Sequence, residues 1–155
     1  MSEEIPATGR LAGVDFGTVR IGIAISDADQ TIASPLENYN RRNQRLDDQY
    51  FIDLAKLERI AGFVVGLPVH LSGDESQKSN EARQFGKRLR ELTGLPVAFF
   101  DERFTSAHAE QLLQQSGLTK KKRKQRLDKL AAQILLAAYL ESSRQGESAQ
   151  GLDDV

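Results

Sequence analysis

The stretch LAGVDFGTVRIGIAISD, residues 11–27, constrains the fold more than any other part of the chain. Two apolar segments, LAGVDF and RIGIAIS, flank a short turn containing Gly17, which is the pattern of a β-hairpin. In the second segment isoleucines alternate with smaller residues, so that one face of the strand is apolar. One carboxylate, Asp15, interrupts the first segment, where a charge without a role is costly. A turn-forming role for Asp15 is the alternative to a functional one.

The rest of the chain alternates strand and helix patterns. A third strand is predicted over 31–39, with Pro35 favouring an edge position. The later elements follow in order: a helix from 47 to a stop at Gly62, a strand over 62–68, a helix over 75–94, a strand over 95–103, and helices over 106–117 and 126–142. This order predicts an α/β fold with a mixed central sheet, an antiparallel N-terminal hairpin and helices on both faces.

Length and composition limit the possible chemistry. The 155 residues fit one domain, expected over 10–142, with a flexible arm at 1–9 and a flexible tail at 143–155. The absence of Cys excludes thiolate catalysis and Cys-based metal sites, and two His are too few for a multi-His site. A metal would therefore be held by carboxylates, which favours Mg²⁺ or Mn²⁺.

The ends and the charge distribution bear on location and partners. The start, MSEEIPATGR, is polar and acidic rather than signal-like, and no apolar run reaches the ~20 residues of a membrane span. A cytoplasmic protein without a membrane partner is the expectation. The net charge is −1, but TKKKRKQRLDK, residues 119–129, is strongly basic. That run, with Lys121, Lys122 and Arg123, is a candidate contact for nucleic-acid phosphates, or else a solvated segment.

Three separate segments bring an acid to the end of an element. Asp15 lies late in the first strand, Asp101 and Glu102 end the strand over 95–103, and Asp128 lies early in the last helix. Neighbouring strand residues face opposite ways, so one of the pair Asp101 and Glu102 faces a given site. Each downstream acid also has an ordinary reading, as a solvated strand end or as a first-turn acid favoured by the helix dipole. Clustered carboxylates need a cation, and two Mg²⁺ ions about 4 Å apart would set up attack of water on a phosphodiester.

The motifs GVDFGTVRIGIAISD, VVGLP, FDERFTS and LDKLAAQILLAAYL together resemble the YqgF/RuvX family, the pre-16S rRNA nucleases also described as RuvC-like Holliday junction resolvase homologues. They cover nearly the whole chain in the family's order. The resemblance implies an RNase H-like fold and a divalent-metal nuclease with the acidic triad Asp15, Glu102 and Asp128. It also implies substrate contacts by Arg20 and Arg103. RNA, specifically the 5′ end of pre-16S rRNA during ribosome biogenesis, is the implied substrate.

Our hypothesis for the site is a two-metal arrangement in which Asp15 bridges the ions and Glu102 and Asp128 each complete one shell. Gly13, Gly17 and Gly22 are expected to let a polynucleotide backbone approach closely.

Three other readings remain open. DFGT also resembles the first phosphate loop of actin-like and sugar-kinase ATPases, although 155 residues leave no room for their second domain. The chain could instead be a non-catalytic RNA- or ribosome-binding module. It could also resolve branched DNA, which requires a homodimer, whereas RNA processing is open to a monomer or a homodimer.

Overall fold

The computed structural model describes residues 4–68, 76–102, 119 and 130–143. The described elements are strands β1 (Arg10–Asp15), β2 (Arg20–Ser26) and β3 (Ala33–Asn40), helix α1 (Gln44–Leu57), strand β4 (Ile60–Leu67), helix α2 (Gln77–Thr93) and strand β5 (Val97–Asp101). Residues 130–143 are helical and are called the C-terminal helical segment below.

The strands form one five-stranded sheet in the order β3-β2-β1-β4-β5. β1 pairs antiparallel with β2, and β2 pairs antiparallel with β3. β4 is parallel to β1 and to β5, because a helical connection precedes each of these two later strands. The mixed sheet with an antiparallel N-terminal hairpin is thus confirmed. In this order β1 and β5 flank β4, which places the ends of all three at one edge of the sheet.

Both ends of α1 differ from the sequence prediction. The helix begins earlier than predicted because the Asn43 side chain accepts a hydrogen bond from the Leu46 main-chain N–H at 2.9 Å and caps it. It ends before the predicted stop, and the chain reverses at Arg59, whose φ is 53°. Gly62 is therefore a strand residue in β4 and not a helix stop. Arg59 takes the left-handed conformation that glycine usually adopts, so this turn carries no glycine signal in the sequence.

The limits of α2 follow the expected capping chemistry. The Ser76 side chain accepts from the Ser79 main-chain N–H at 3.3 Å at its start. Gly94 ends the helix with φ 73°, a left-handed conformation that glycine adopts without strain. The predicted end of this helix at Gly94 is confirmed.

The two faces of the sheet carry separate apolar cores. On one face Val14 and Phe63 pack with Phe51 of α1 and Leu89 of α2. On the other face the C-terminal helical segment packs on the sheet, and residues Leu11, Ala24, Val64, Ala132, Leu136 and Leu140 form its core. Helices cover both faces, as predicted. Because strand residues alternate between faces, each position in β1 belongs to one of these two cores.

The first described residues lie against the domain. Ile5 packs with the core beneath the C-terminal helical segment. The Gln30 side-chain amide donates hydrogen bonds to the carbonyl oxygens of Pro6 and Gly9, at 2.8 and 3.0 Å. The predicted helix over 106–117, the basic run at 119–129 apart from Thr119, and the tail after 143 lie outside the described residues. Within the described part of the chain, the helices are too short or too polar to cross a membrane.

Candidate active site

Two of the three predicted acids meet at the edge where the parallel strands end. Asp15 is the last residue of β1, and Glu102 directly follows β5. β4 lies between them, with Val65 paired to Val14 and Leu67 paired to Asp101. The carboxyl ends of parallel strands form the common site of ligands in open α/β sheets.

Gly66 of β4 makes the meeting of these acids possible. A Cβ atom built on Gly66 would lie 2.6 Å from Oε1 of Glu102 and 3.1 Å from its Cγ. The Glu102 side chain therefore crosses the strand directly over the glycine and forms a hydrogen bond with Asp15. Any larger residue at position 66 would occupy the space that this side chain uses. The motif VVGLP contains Gly66, but its role is visible only once β4 is placed between the acids.

The acid pair has a strongly perturbed protonation equilibrium. Burial raises the pKa of Glu102 to about 7, and the charge of Asp15, the hydrogen bond to it, and the charge of Asp101 act in the same direction. Near neutral pH the metal-free pair therefore holds a proton in a large fraction of molecules. The structure brings Glu102, rather than Asp101, to Asp15, as the family resemblance implied.

The Asp15 side chain lies on the face covered by the C-terminal helical segment. Asp15 pairs with Gly22, and a Cβ on Gly22 would lie 3.7 Å from Asp15 Cβ and 3.5 Å from Ala132 Cβ. A Cβ on Gly13 would lie 2.7 Å from Leu136 Cβ. These glycines allow close packing of the helical segment on the sheet. The expectation that Gly13 and Gly22 admit a polynucleotide backbone is therefore wrong.

A cleft of about 850 Å³ opens beside the acids. One wall is the β1–β2 turn, residues 15–18, and the opposite wall is the first turn of α2. Lys78 and Glu81 line the cleft from α2, and Lys78 is its cationic residue among those that the structure describes. Sequence reasoning missed both side chains, because only the packing of α2 on the sheet brings them to the acids.

The turn that follows Asp15 is held by Arg41. The Arg41 Nη1 atom donates to the Gly17 carbonyl at 3.4 Å, and its main-chain N–H donates to the Val19 carbonyl at 3.0 Å. The guanidinium also lies over the Phe16 ring, 5.1 Å from its centroid. Arg41 thus contacts three of the four residues between Asp15 and the start of β2, namely Phe16, Gly17 and Val19.

A buried carboxylate fixes Arg41 in turn. Asp47 accepts hydrogen bonds from Arg41 Nε at 3.3 Å, from the Tyr39 hydroxyl at 2.7 Å and from the Arg42 main-chain N–H at 2.9 Å. Burial alone would raise the pKa of Asp47, but these hydrogen bonds and the Arg41 charge outweigh it and the pKa is lowered. Asp47 is therefore a buried anion with its charge compensated on both oxygens.

The other predicted site residues are placed as follows. Arg20 is exposed at the start of β2, opposite Asn40, and is not among the residues lining the cleft. Residues outside the described part of the chain are Arg103, Lys121, Lys122, Arg123 and Asp128. Within the described residues, groups of three or more acids or histidines arranged for a metal ion are absent. The part of the site that the structure describes is thus a pair of carboxylates, and the third predicted acid, Asp128, is not among the described residues.

Solved structures of DNA junction resolvases share this architecture. Thermus thermophilus RuvC in complex with a Holliday junction substrate superposes with a TM-score of 0.60 at 15% identity, covering 88% of this chain and 96% of that one. The yeast mitochondrial Holliday junction resolvase Ydc2 gives a TM-score of 0.60 at 11% identity, covering 97% of this chain and 85% of that one. The chain therefore has the RuvC-type, RNase H-like α/β fold.

The sequence defines the family within that fold. Residues 9–142 match the model of RuvX, described as Holliday junction resolvase, and the chain belongs to this nuclease family. A protein of Rhodopirellula baltica, named "Putative pre-16S rRNA nuclease", is 58% identical over 139 residues, which are 90% of this chain and 80% of the relative. A protein of Koribacter versatilis with the same name is 40% identical over 141 residues, covering 91% of this chain and 92% of the relative.

Proposed function

We propose that this chain is a divalent-metal-dependent nuclease that hydrolyses phosphodiester bonds with Asp15, Glu102 and Asp128. The observation that carries the proposal is the contact between the Asp15 and Glu102 carboxyl groups across Gly66. Two carboxylates in contact in a half-buried site repel each other unless a proton or a cation lies between them. Both carboxylates lie at strand ends and line an open cleft, where a substrate can reach them.

The donor set fits Mg²⁺ or Mn²⁺. Asp15 and Glu102 offer hard carboxylate oxygens, and a bound cation would offset their mutual repulsion, which together with burial raises the pKa of Glu102. A divalent cation held there would supply Lewis acidity, lowering the pKa of an attacking water and neutralising charge on the phosphate oxygens. The chain's own contribution is to fix the two carboxylates and to offer the Lys78 ammonium in the same cleft for a substrate phosphate.

Asp128 is the third acid of the proposal on sequence grounds. It is the acid of the motif LDKLAAQILLAAYL and precedes Ala132 by four positions in the sequence. Ala132 adjoins Gly22, which is the strand partner of Asp15. In our working scheme Asp15, Glu102 and Asp128 would together hold two divalent cations, which would supply Lewis acidity to the reaction.

The names of the relatives guide the choice of substrate. Two relatives, matched over at least four-fifths of their own length, are named for a pre-16S rRNA nuclease activity, which supports RNA as the substrate. Our proposal adds that this chain acts at the 5′ end of pre-16S rRNA in the cytoplasm. The description of the family model favours a second candidate, a Holliday junction in DNA. A junction resolvase would act as a homodimer to cut two strands symmetrically, whereas RNA trimming can be done by a monomer.

Cleavage assays on both substrates separate the candidates. Single-stranded RNA carrying the 5′ leader of pre-16S rRNA and a four-way DNA junction are each incubated with Mn²⁺, Mg²⁺ or EDTA. We expect RNA cleavage with metal, none in EDTA, and none by the Asp15→Asn variant. Asp29→Asn is the matched control, because Asp29 is an exposed acid in the β2–β3 turn at the opposite end of the sheet.

Each other outcome has a definite meaning. Junction cleavage without RNA cleavage would replace RNA by branched DNA as the substrate. Cleavage that persists in Asp15→Asn would overturn the assignment of the site. RNA binding without cleavage of either substrate would indicate a binding module that uses the fold without its chemistry.

A further inference from the structure

We propose that Arg20, Arg42 and Arg45 form a track that binds consecutive backbone phosphates of the nucleic-acid strand as it leaves the cleft over the β1–β2 turn. This inference rests on the proposed nuclease function and extends it by giving the substrate a direction across the surface. Arg42 and Arg45 are new candidate phosphate contacts. Arg20, which the family resemblance implied as a substrate contact, begins β2 beside the same turn.

The β1–β2 turn connects the cleft to these arginines. Residues 15–18 line the cleft, and Arg20 begins the strand that follows them. Arg20 pairs with Asn40 at the end of β3, and the hydrogen bond from the Arg41 main-chain N–H to Val19 ties the following loop to the turn. Arg42 lies in that loop. Arg45 lies in the first turn of α1, so the three residues occupy one continuous edge next to the site.

The charges of this region are unequally compensated. Each nearby acid has a partner: Tyr50 donates to Glu37, Arg41 to Asp47, Arg88 to Asp48 and Gln49 to Asp53. Arg20, Arg42 and Arg45 are exposed, and none of them forms an ion pair with a residue that the structure describes. The amino-terminal end of α1 adds partial positive charge at the same place. This edge therefore presents cationic groups that have no ion-pair partner among the described residues and can bind an external anion.

The form of these groups favours phosphates spaced along a chain. Guanidinium groups bind phosphate oxygens with two parallel hydrogen bonds, and they stay charged at every relevant pH. Beside the track, the groove between β3 and α1 is lined by Arg42 together with the carboxylates of Glu37 and Asp53. Those acids disfavour a polyanion deeper in the groove, so we expect the track to end at Arg42 and the first turn of α1. A strand bound in this way would cover the turn and the three arginines but not the middle of β3.

Salt-dependent binding tests the track. Single-stranded RNA is titrated with the Asp15→Asn protein, which prevents turnover, and with the same protein carrying Arg42→Gln and Arg45→Gln. We expect the double substitution to weaken binding roughly tenfold at low salt. The slope of log affinity against log salt, between about 50 and 200 mM, should fall in magnitude by about 1.4, or about 0.7 for each lost phosphate contact.

Arg59→Gln provides the matched control. Arg59 is an equally exposed arginine without an ion pair among the described residues, and it precedes β4 at the opposite end of the sheet. We expect its substitution to leave both the affinity and the salt slope unchanged. Thermal melting of each variant should match that of the parent, because all three side chains are exposed.

Substrate truncation adds a test of direction. RNA is shortened from one end or from the other, up to the cleavage position. For one of the two truncations, the affinities of the parent and the double variant should converge, because the strand no longer reaches the arginines. Unchanged affinity and slope in the double variant, or an equal effect of Arg59→Gln, would overturn the track while leaving metal-dependent cleavage intact. A wild-type protein that neither binds nor cleaves nucleic acid would overturn the proposed function as well.

Discussion

The carboxyl groups of Asp15 and Glu102 meet across Gly66, a residue of the strand that separates them. Their contact depends on three features of the fold: parallel strands that end together, a central strand without a side chain at the crossing point, and partial burial. The first brings the acids to one edge, the second gives Glu102 its path, and the third makes their charges costly without a counter-ion. The predictions below test these features separately.

Replacing Gly66 by Ala should impair the site by displacing Glu102. The new Cβ would lie 2.6 Å from Oε1, so the side chain must move away from Asp15. A displacement of about 1 Å costs roughly 100-fold in rate in positioned active sites. Single-turnover cleavage measures this loss. Gly22→Ala is the control substitution, in β2 on the other side of β1, since its Cβ would make ordinary contacts at 3.5 and 3.7 Å. A smaller loss for Gly66→Ala than for Gly22→Ala would contradict the account.

The metal-free protein should lose stability as the pH rises toward neutrality. The pKa of Glu102 is raised from 4.5 to about 7 in the folded protein, so the folded state binds its proton more tightly than the unfolded state. This contribution to the free energy of unfolding is fully present below about pH 4.5 and disappears as the pH passes 7. It amounts to roughly 3 kcal/mol. Urea unfolding in EDTA at several pH values measures it.

The Glu102→Gln variant isolates that effect from other acids. The amide does not titrate, so the difference in unfolding free energy between the variant and the wild type should grow in the variant's favour from pH 5 to pH 8. Addition of Mn²⁺ should stabilise the wild type more at pH 8 than at pH 5, because the cation competes with the proton. Parallel pH curves for the two proteins would show that Glu102 does not carry a shifted pKa.

Loss of the buried Asp47 carboxylate should be more damaging than loss of its partly exposed neighbour Asp48. Asp47→Ala removes the acceptor of Tyr39 and of Arg42 and breaks the ion pair with Arg41, at an expected cost of about 3 kcal/mol. Asp48→Ala breaks the ion pair with Arg88, whose guanidinium end of the pair is exposed, and should cost about 0.5 kcal/mol. Chemical denaturation compares the two. Equal costs would contradict the importance assigned to the buried network.

Arg41 should act as a positioning residue for the turn after Asp15. Arg41→Lys keeps a positive charge beside Asp47 but shortens the reach to Gly17 and loses the planar contact with Phe16. We expect kcat to fall roughly tenfold with little change in KM. Arg88→Lys is the control, because Arg88 also pairs with an acid but its hydrogen bonds go to Asp48 on α1 and not to the turn. A rise in KM at constant kcat would indicate a substrate contact instead.

The sequence predicted the architecture because its signals are local. The alternation in residues 20–26 and the glycine at the end of α2, Gly94, specify elements through contacts within a few residues. The end of α1 was mispredicted because Gly62 looks like a stop, although tertiary packing in β4 decides its conformation. Local patterns cannot distinguish a glycine that ends a helix from one that lies in a buried strand.

The site was predicted in part for a similar reason. Asp15 and Glu102 stand out as acids at the ends of apolar segments, and the family resemblance selected Glu102 over Asp101. Gly66, Arg41 and Lys78 make contacts between elements that are distant in sequence. Patterns of neighbouring residues therefore do not predict these contacts. The roles of Gly13 and Gly22 were misjudged because close packing of a helix and close approach of a ligand both require a missing side chain.

The central claim is that the pair of Asp15 and Glu102 holds a divalent cation, and Mn²⁺ binding measured by calorimetry at pH 7.5 tests it most directly. We predict that the wild type and Asp29→Asn bind Mn²⁺ with the same affinity and release protons on binding. Asp15→Asn and Glu102→Gln should each lose most of that affinity. Binding by Asp15→Asn with wild-type affinity and stoichiometry would contradict the account, because the cation would then lie elsewhere.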